Sequence, residues 1–469
     1  MSAAPALKRG IRFRDLVLFY VICGLSVRWA ATAAAAGPSI LLVWVAALAC
    51  FFVPMAASVM ELSSRLPDEG GIYIWTREAF GDFAGFVAAW TYWMSNLPYF
   101  SGVLYFGAAS ALFAFGGRAQ GLTANPYYYL AFAVVWLGVI TLMNMRGVDA
   151  GKWLNNVSAL GGLVPTVALL ALGTASLVKF GPAIRYPAAS FVPHWSLDNA
   201  VFWSSVFFAF SGMESASAMG GEIENPRRTI PWAILVGGCI LAVGYVGGTT
   251  ALLVALPPEA VGGPDGFING VRALSMRLGL DWLIAPLALF VALNAVGSAA
   301  AYLSSTSRLP FVAGIDHYLP RAFGWVHKRY RTPWVAIGAY GLAGIVVAIA
   351  GQAGTTVRGA YDVLVSMGIL AFFLPYLFLF AAMIRLQSRP AGPEVRRVPG
   401  GKPVAIVLAS IGLASTVMTI VLSAIPAHDE PNKPLAVVKV VGGTAVLVGA
   451  GLVVFVIERA RARREVKTA

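Results

Sequence analysis

Residues 202–224 read FWSSVFFAFSGMESASAMGGEIE, an apolar stretch that changes character at its centre. Gly212 is a poor helix former, and Glu214 places a carboxyl group at about membrane depth, where a charge costs roughly 2.5–3.5 kcal/mol. A helix broken in a membrane exposes backbone N–H and C=O groups, which is tolerated where they line a cavity or bind a ligand. The stretch therefore predicts half of a substrate site. The alternative is a glycine kink beside a carboxyl group that stays protonated.

A second interrupted stretch lies near the N-terminus. Residues 16–39 read LVLFYVICGLSVRWAATAAAAGPS, and the apolar run is broken at residues 23–26 (CGLS), with the charged Arg28 close behind. Two interrupted spans at corresponding positions of two halves are the pattern of a secondary transporter's binding site. The second stretch therefore favours the substrate site over the simple kink.

The composition is that of an integral membrane protein. Of the 469 residues, 58% are hydrophobic and 12% are charged, whereas soluble domains contain about 25% charged residues. The net charge of +13 comes from basic residues in loops and tails, so it reflects membrane topology and we expect no nucleic-acid partner. Cys23, Cys50 and Cys239 lie in apolar segments, which argues against a disulfide framework, a metal site or any cofactor. Residues 1–15 lack the apolar core and cleavage site of a signal peptide.

A membrane span needs roughly 20 apolar residues, and twelve segments qualify. They lie at about 15–37, 39–63, 83–115, 127–146, 154–178, 200–222, 231–256, 281–306, 333–351, 360–386, 403–425 and 435–457. With the N-terminus inside, most lysines and arginines fall on the cytoplasmic side, so we expect both termini to be cytoplasmic and the protein to be a multi-pass protein of the cell membrane. The basic C-terminal tail would face anionic lipid.

The predicted organisation is an inverted repeat without a soluble domain. Residues 1–14 form an N-terminal cytoplasmic tail, 15–178 the first repeat of five spans, 200–386 the second, 403–457 two added spans, and 458–469 a basic cytoplasmic tail. An odd number of spans in each half inverts the second copy. Residues 307–332 mix apolar and charged side chains, which predicts a short amphipathic helix on the cytoplasmic surface.

Three segments resemble the amino acid–polyamine–organocation (APC) superfamily of permeases. They are residues 61–64 (ELSS) with 67–75 (PDEGGIYIW), residues 208–216 (FAFSGMESA) with 224–231 (ENPRRTIP), and residues 307–308, 319–320 and 329–333. The resemblance implies an all-α, LeuT-like fold of twelve transmembrane helices, with a five-plus-five inverted repeat, broken helices 1 and 6, and two extra C-terminal helices. Residues 26–29 (SVRW) are more similar to the glutamate/γ-aminobutyrate exchanger branch, whereas residues 36–38 and 71–75 are similar to plant polyamine and amino-acid uptake carriers. Many members carry a Gly-Ser-Gly type motif in span 1, and this chain has one glycine there, Gly24.

The two breaks suit the two charged ends of an amino acid. The half-helix that starts near Ser26 directs free N–H groups and its positive dipole end at a carboxylate, and the carbonyl groups released in span 6 suit an ammonium group. The residues expected to bind substrate are Ile22, Gly24, Leu25 and Ser26 in span 1, Asn96 and Tyr99 in span 3, and Phe208, Ser211 and Gly212 in span 6. By resemblance, Phe208 stands where the superfamily has an aromatic gate over the substrate; its alternative role is ordinary apolar packing. Weaker candidates are Tyr92, Trp93, Ser95, Asn294, Ser298, Ser366 and Tyr376.

The charged groups at depth have competing roles. Burial favours the neutral form of Glu214, which makes it the leading proton-site and gating candidate; its alternative is a fixed brace for the helix break. Arg28 keeps its charge at every useful pH. It either pairs with Glu214 as a gate, which we favour, or binds the second carboxylate of an acidic substrate, or extends to the outer surface.

The coupling mode is left open between a proton, sodium and exchange. Residues 156–165 of span 5 contain no lysine that would act as an internal cation. Ser304, Ser305 and Thr306 lie near the depth at which a sodium site would need hydroxyl groups.

The leading hypothesis is an amino-acid transporter that works by alternating access and is not an enzyme. A polyamine or organic-cation carrier of the same fold would need extra cavity carboxylates, and only Glu214 and Glu61 are available while Arg28 would repel a polycation. A channel would show filter segments or pore rings, and none is visible. A membrane-embedded enzyme would need a catalytic cluster at depth, but His194, His317, His327 and His428 all fall in loops.

Overall fold

The structure is a computed structural model that describes residues 10–258, 261, 265–315, 318–352, 356–425 and 433–468. Most of the predicted N-terminal tail, together with His317 and His428, lies outside the described residues. Within them, eleven helical segments are long and apolar enough to cross a membrane. Ten are uninterrupted: Ile40–Arg65 (span 2), Asp82–Leu112 (3), Pro126–Met145 (4), Val148–Phe180 (5), Pro226–Ala255 (7), Ile284–Thr306 (8), Trp334–Gln352 (9), Val357–Leu386 (10), Gly401–Ser423 (11) and Gly443–Thr468 (12).

Spans 1 and 6 are divided, as predicted. Span 1 consists of Phe13–Gly24 (span 1a) and Val27–Ala34 (span 1b). Span 6 consists of Leu197–Ala209 (span 6a) and the 3-10 segment Ser215–Glu222 (span 6b), and each half is too short to cross a membrane alone. Span 1 is among the eleven long segments, so adding span 6 gives the predicted twelve spans in the described chain.

Three connections differ from the prediction. Ile72–Phe80 and Gly266–Leu278 are additional short helices. Their sequences mix polar and apolar residues and contain no apolar run as long as a membrane span, so they were not predicted. The segment after span 8 begins with the helix Arg308–Ile315. Its charged residue Arg308 is buried along with Leu309 and Phe311, so this helix does not lie on the surface as expected. The helix of span 12 continues to Thr468, so the predicted tail begins as helix.

Span 2 shows how local sequence sets backbone geometry. Pro54 lacks an N–H group, so the carbonyl of Cys50 loses its usual partner four residues along the helix. The chain forms a π-helical turn over Leu48–Phe52, and Ser415 Oγ of span 11 donates to Cys50 O at 2.9 Å. A contact between distant spans thus satisfies the group that the proline releases.

The divided spans lie at the centre of the bundle. In the most apolar part of span 3, 89% of residues are buried against protein, and the value for span 1 is 83%, compared with 22% in span 12. Span 3 packs against spans 8 and 10, and span 1 packs against spans 5 and 7. Broken backbone is therefore surrounded by protein, as the hydrocarbon environment requires.

Candidate functional site

The break in span 1 is held open by hydroxyl groups from other spans. Leu25 and Ser26 have non-helical backbone angles, with ψ values of 86° and 111°. The three carbonyl groups that precede the break accept hydrogen bonds from side chains of spans 7 and 8. Ser298 Oγ donates to Ile22 O at 2.6 Å, Tyr302 OH donates to Cys23 O at 3.2 Å, and Tyr245 OH donates to Gly24 O. Ser26 N donates to Gly24 O and Trp29 N donates to Ser26 O, each at 3.0 Å. The amides of Val27 and Arg28 are therefore the groups of the first turn of span 1b that remain for a ligand.

The break in span 6 depends on a glycine. Gly212 has φ of 103°, a conformation that L side chains rarely adopt, and an added Cβ would meet the hydroxyl of Tyr302. Its carbonyl accepts from Ser215 Oγ at 2.5 Å. The carbonyls of Phe210 and Ser211 lie between the two half-helices, where the sequence predicted groups suited to an ammonium ion.

Tyr245 joins the two breaks. Besides its bond to Gly24 O, its hydroxyl accepts from Ser26 N at 3.3 Å and lies 3.1 Å from Ala209 O, the last residue of span 6a. Its ring stacks on Trp44 at a centroid distance of 4.8 Å. The amide end of span 1b and the carbonyl end of span 6a are therefore fixed close to one another.

Glu214 is fully buried and is held by two tyrosines. Tyr92 OH donates to Oε1 at 2.5 Å, and Tyr376 OH donates to Oε2 at 2.6 Å. Gly212 N also donates to Oε2, at 3.0 Å. Three donors suit the ionised carboxylate, while a protonated Glu214 would donate to one of the tyrosine oxygens instead. The arrangement connects spans 3, 6 and 10 through a group that can gain or lose a proton.

The favoured pair between Arg28 and Glu214 does not form in the described structure. Glu214 bonds to tyrosines, and the Arg28 guanidinium instead lies over the rings of Trp29 and Tyr99, at 4.5 and 5.7 Å from their centroids. Arg28 is only 4% exposed, so it does not extend to the outer surface either. Charge complementarity predicted the pair, but the short, well-directed bonds from phenol groups satisfy Glu214 without it.

Arg28, Tyr99 and Phe208 line a cavity of about 10 Å³, together with residues of spans 3 and 10. This space holds about one water molecule. The Phe208 ring packs edge-on against Trp29 and Phe372, each at 5.4 Å between centroids. The candidate site is therefore closed by aromatic side chains in this conformation.

The predicted residues of span 3 separate into two groups. Tyr99 OH lies 3.2 Å from Ser298 Oγ and its ring packs against Tyr302, which brings it to the break in span 1. Asn96 Nδ2 instead donates to Tyr92 O of its own helix at 2.9 Å, and Asn96 is not part of the cavity lining in the described structure.

The hydroxyls considered for a sodium site do not converge. Ser305 and Thr306 donate to Tyr302 O at 3.3 and 2.6 Å, within their own helix. Ser304 Oγ lies 3.9 Å from the sulfur of Met219. Hydroxyls in membrane helices commonly bond back in this way.

A buried ion pair lies at the end of span 6b that is farther from the break. Arg308 Nη2 lies 2.9 Å from Glu222 Oε1, and the side chains are 3% and 0% exposed. Arg308 also donates to Ser304 O and to Ser307 Oγ. The chain before span 1 joins this region, because Gly10 N and Ile11 N both donate to Glu222 O.

The loop after span 2 packs on the same end of span 6b. Glu69 Oε2 accepts from Gly221 N at 2.7 Å. Gly71 has φ of 42°, and an added Cβ would meet Ser217, so the loop approaches this closely only with glycine. Burial of the Glu69 carboxyl group and the negative charge of Glu222 raise its pKa to about 8, although Arg308 and the Gly221 amide act in the opposite direction.

A larger cavity, of about 400 Å³, lies away from the breaks, between span 3, the segment after span 8 and span 12. Its lining is mostly apolar, with Trp90, Phe323 and Ile457 among its residues, and its charged side chains are Glu458 and Arg461. Such a lining gives an amino acid no paired set of backbone donors and acceptors, so the breaks remain the candidate site.

The sequence profile of the amino acid permease family matches residues 16–446. The chain belongs to this family. An uncharacterized transporter of Legionella pneumophila is 27% identical to the permease over 91% of the permease and 92% of its own length. A probable agmatine/putrescine antiporter of Lactococcus lactis is 25% identical over 87% and 86% of the two chains.

The crystal structure of MhsT in complex with L-phenylalanine is similar with a TM-score of 0.61 and 16% identity, covering 87% of the permease and 98% of MhsT. This likeness shows the fold. The prediction of an APC superfamily permease with twelve spans and broken spans 1 and 6 is confirmed. The permease is a multi-pass membrane protein and a secondary transporter of small molecules.

Two residues that organise the site were missed by sequence reasoning, Tyr245 and Tyr302. Each is a single tyrosine in a long apolar helix, a pattern equally typical of core packing. A hydroxyl at mid-span is the one signal that would have found them, because it needs a polar partner there.

Proposed function

We propose that the permease moves amino acids across the cytoplasmic membrane by alternating access, with both termini in the cytoplasm. The observation that supports it is the meeting of two breaks of opposite polarity. Tyr245 joins Ser26, at the amide end of span 1b, to Ala209, at the carbonyl end of span 6a. Free amides attract a carboxylate and free carbonyls attract an ammonium group, and an α-amino acid carries both on one carbon.

A polyamine carrier of the same fold is the second candidate, favoured by the similarity to the probable agmatine/putrescine antiporter of Lactococcus lactis. The charges at the site support an amino acid instead. Arg28 lines the cavity and would repel a polycation, while the oxygens of Glu214 are already engaged by Tyr92 and Tyr376.

A proton at Glu214 is the proposed coupling device. Its carboxyl group bridges spans 3, 6 and 10, so a change in its charge changes contacts between elements that must move in alternating access. The hydroxyls of Ser305 and Thr306 are engaged by protein groups: both donate to Tyr302 O, and Thr306 Oγ1 also lies 2.9 Å from Tyr340 OH. This supports a proton over sodium.

The proposed topology follows from the basic residues. The first repeat then covers residues 15–178 and the second 200–386, with spans 11 and 12 added, and the Glu222–Arg308 pair lies on the cytoplasmic side. Lysines and arginines are enriched on the cytoplasmic side of membrane proteins. At that surface they are attracted to anionic lipid.

Counterflow into proteoliposomes tests the choice of substrate. Vesicles preloaded with one unlabelled compound are diluted into the same compound at trace radiolabelled concentration, for L-alanine, L-leucine, L-glutamate, L-glutamine, L-lysine and putrescine in turn. We expect transient accumulation of at least one amino acid and none of putrescine. Accumulation of putrescine alone would replace the proposed substrate with a polyamine.

The pKa of Glu69 predicts a pH-dependent cytoplasmic gate. In the closed structure its pKa is about 8, and opening would return it toward its ordinary value of 4.5. The closed state therefore binds the proton more tightly, so this contribution favours closure at low pH and is lost as pH rises from about 4.5 through about 8.

The native thiol of Cys23 can report this opening. Cys23 is 5% exposed, and its thiol forms a hydrogen bond with Ser215 of span 6b. In a protein with Cys50→Ala and Cys239→Ala, we expect Cys23 to be alkylated faster at pH 8.5 than at pH 6.5, relative to the same protein unfolded in detergent. Glu69→Gln should remove most of that difference. Equal pH dependence in the two proteins would exclude Glu69 as the responsible group.

A further inference from the structure

Five charged side chains are buried in the described part of the permease, and one of them stands apart. They are Arg28, Glu61, Glu214, Glu222 and Arg308. Glu61 accepts from Arg65 at 2.7 Å, and Glu222 pairs with Arg308 at 2.9 Å. Glu214 accepts from two tyrosines and a backbone amide. Each of these buried carboxylates thus has its own hydrogen-bond donors, and none of them pairs with Arg28.

The guanidinium of Arg28 has unused hydrogen-bonding capacity. Its Nε and Nη1 atoms are buried and have no hydrogen-bond partner among the described residues. The contacts with the Trp29 and Tyr99 rings orient the guanidinium plane. Ring faces do not form the directed hydrogen bonds that a carboxylate forms with the N–H donors of this group. A buried cation without an anion is unfavourable, so this position is suited to a ligand that brings the negative charge.

The surroundings define where that charge would be. Arg28 is the second residue of span 1b, so its side chain begins beside the amides proposed to hold the α-carboxylate. Its side chain lines the closed cavity with Phe208 and Tyr99. A ligand anchored by its α-carboxylate and ammonium groups at the two breaks would direct its own side chain toward this cavity once Phe208 moves aside.

We propose that Arg28 binds the side-chain carboxylate of the substrate and that the permease selects acidic, dicarboxylic amino acids. This inference rests on the proposed function, because it assigns the substrate class of the same site. Arginine suits the role since its planar fork matches a carboxylate with two parallel hydrogen bonds. A neutral side chain would leave the guanidinium desolvated and unpaired, which gives discrimination against amides and apolar amino acids.

Counterflow of L-glutamate, L-glutamine, L-alanine and putrescine tests the proposal with purified protein in liposomes. We expect wild-type permease to move glutamate about 10- to 100-fold faster than glutamine at equal trace concentration, the effect of one charge-assisted pair. Arg28→Gln should reduce glutamate counterflow by a similar factor and leave glutamine counterflow unchanged or higher. Arg28→Lys, which keeps the charge without the fork, should raise the half-saturation concentration for glutamate.

Arg277→Gln is the matched control. Arg277 is half-buried and, like Arg28, lies over an aromatic ring, that of Phe180 at 5.2 Å, but it is outside the site, between spans 7 and 8. It should leave the preference for glutamate unchanged. Where Arg28→Gln elutes as aggregate, the wild-type preference and the Arg28→Lys variant decide the question.

The outcomes separate the two levels of the proposal. Counterflow of glutamine or alanine but not glutamate would overturn the role of Arg28 and leave the amino-acid transporter intact. An equal loss of glutamate and glutamine in Arg28→Gln would assign Arg28 to the α-carboxylate and also overturn the selectivity. Counterflow of putrescine alone would overturn the proposed function itself.

Discussion

Replacing Glu214 by Gln should abolish uptake driven by a pH gradient while leaving counterflow in place. Glutamine keeps the shape of the side chain and can still accept from Tyr92 or Tyr376, but it cannot gain or lose a proton. With one proton moved per substrate, a gradient of one pH unit supports about tenfold accumulation. In Glu214→Gln that accumulation should fall to none.

The measurement is uptake of the labelled substrate into proteoliposomes with and without an imposed gradient, with the counterflow rate taken from the same preparation. Glu78→Gln is the control, since it removes a carboxylate that is about half-exposed and paired with Arg389. Full gradient-driven accumulation in Glu214→Gln would show that the proton binds elsewhere. Loss of counterflow as well would indicate that Glu214 acts as a fixed brace for the break in span 6.

Replacing Arg308 by Gln should open the end of the bundle that carries the Glu222–Arg308 pair, which is the cytoplasmic side in the proposed topology. The substitution leaves Glu222 buried without its cation, and breaking such a pair costs about 3–5 kcal/mol. That energy stabilises the closed arrangement of span 6b against the helix Arg308–Ile315 that follows span 8, so the open population should rise by about 100-fold or more. The alkylation rate of Cys23, in the protein with Cys50→Ala and Cys239→Ala, should rise correspondingly.

Arg389→Gln is the control for this experiment. It breaks the exposed pair with Glu78, which should be worth about 1 kcal/mol or less, so Cys23 should stay protected. Size-exclusion elution and retained counterflow distinguish opening from unfolding. A folded Arg308→Gln protein with an unchanged Cys23 rate would mean that the pair does not control access.

The fold could be predicted from the sequence because its main signals are local. Twenty-residue apolar runs mark the spans, and the breaks are marked by Gly24, Gly212 and a charged residue at membrane depth. The short helices Ile72–Phe80 and Gly266–Leu278 were missed because each is much shorter than a membrane span and mixes polar with apolar residues, so neither length nor apolarity identifies it.

The site was predicted less completely because its contacts are long-range. Tyr245 and Gly24 are separated by 221 residues, and Tyr302 and Cys23 by 279. The pairing of Arg28 with Glu214 followed from opposite charges near the same depth, yet the direction of each side chain decides the partner. Tyr92 and Tyr376 take the carboxylate, and Arg28 turns toward Trp29 and Tyr99.

Counterflow in wild-type proteoliposomes tests the central claim, an amino-acid carrier with one alternating site, most directly. A labelled amino acid should enter preloaded vesicles to a level above equilibrium, pass through a maximum and then decline, because the site exchanges one molecule for another. Entry that rises only to equilibrium, at a rate unaffected by the preloaded compound, would contradict the claim and indicate a channel.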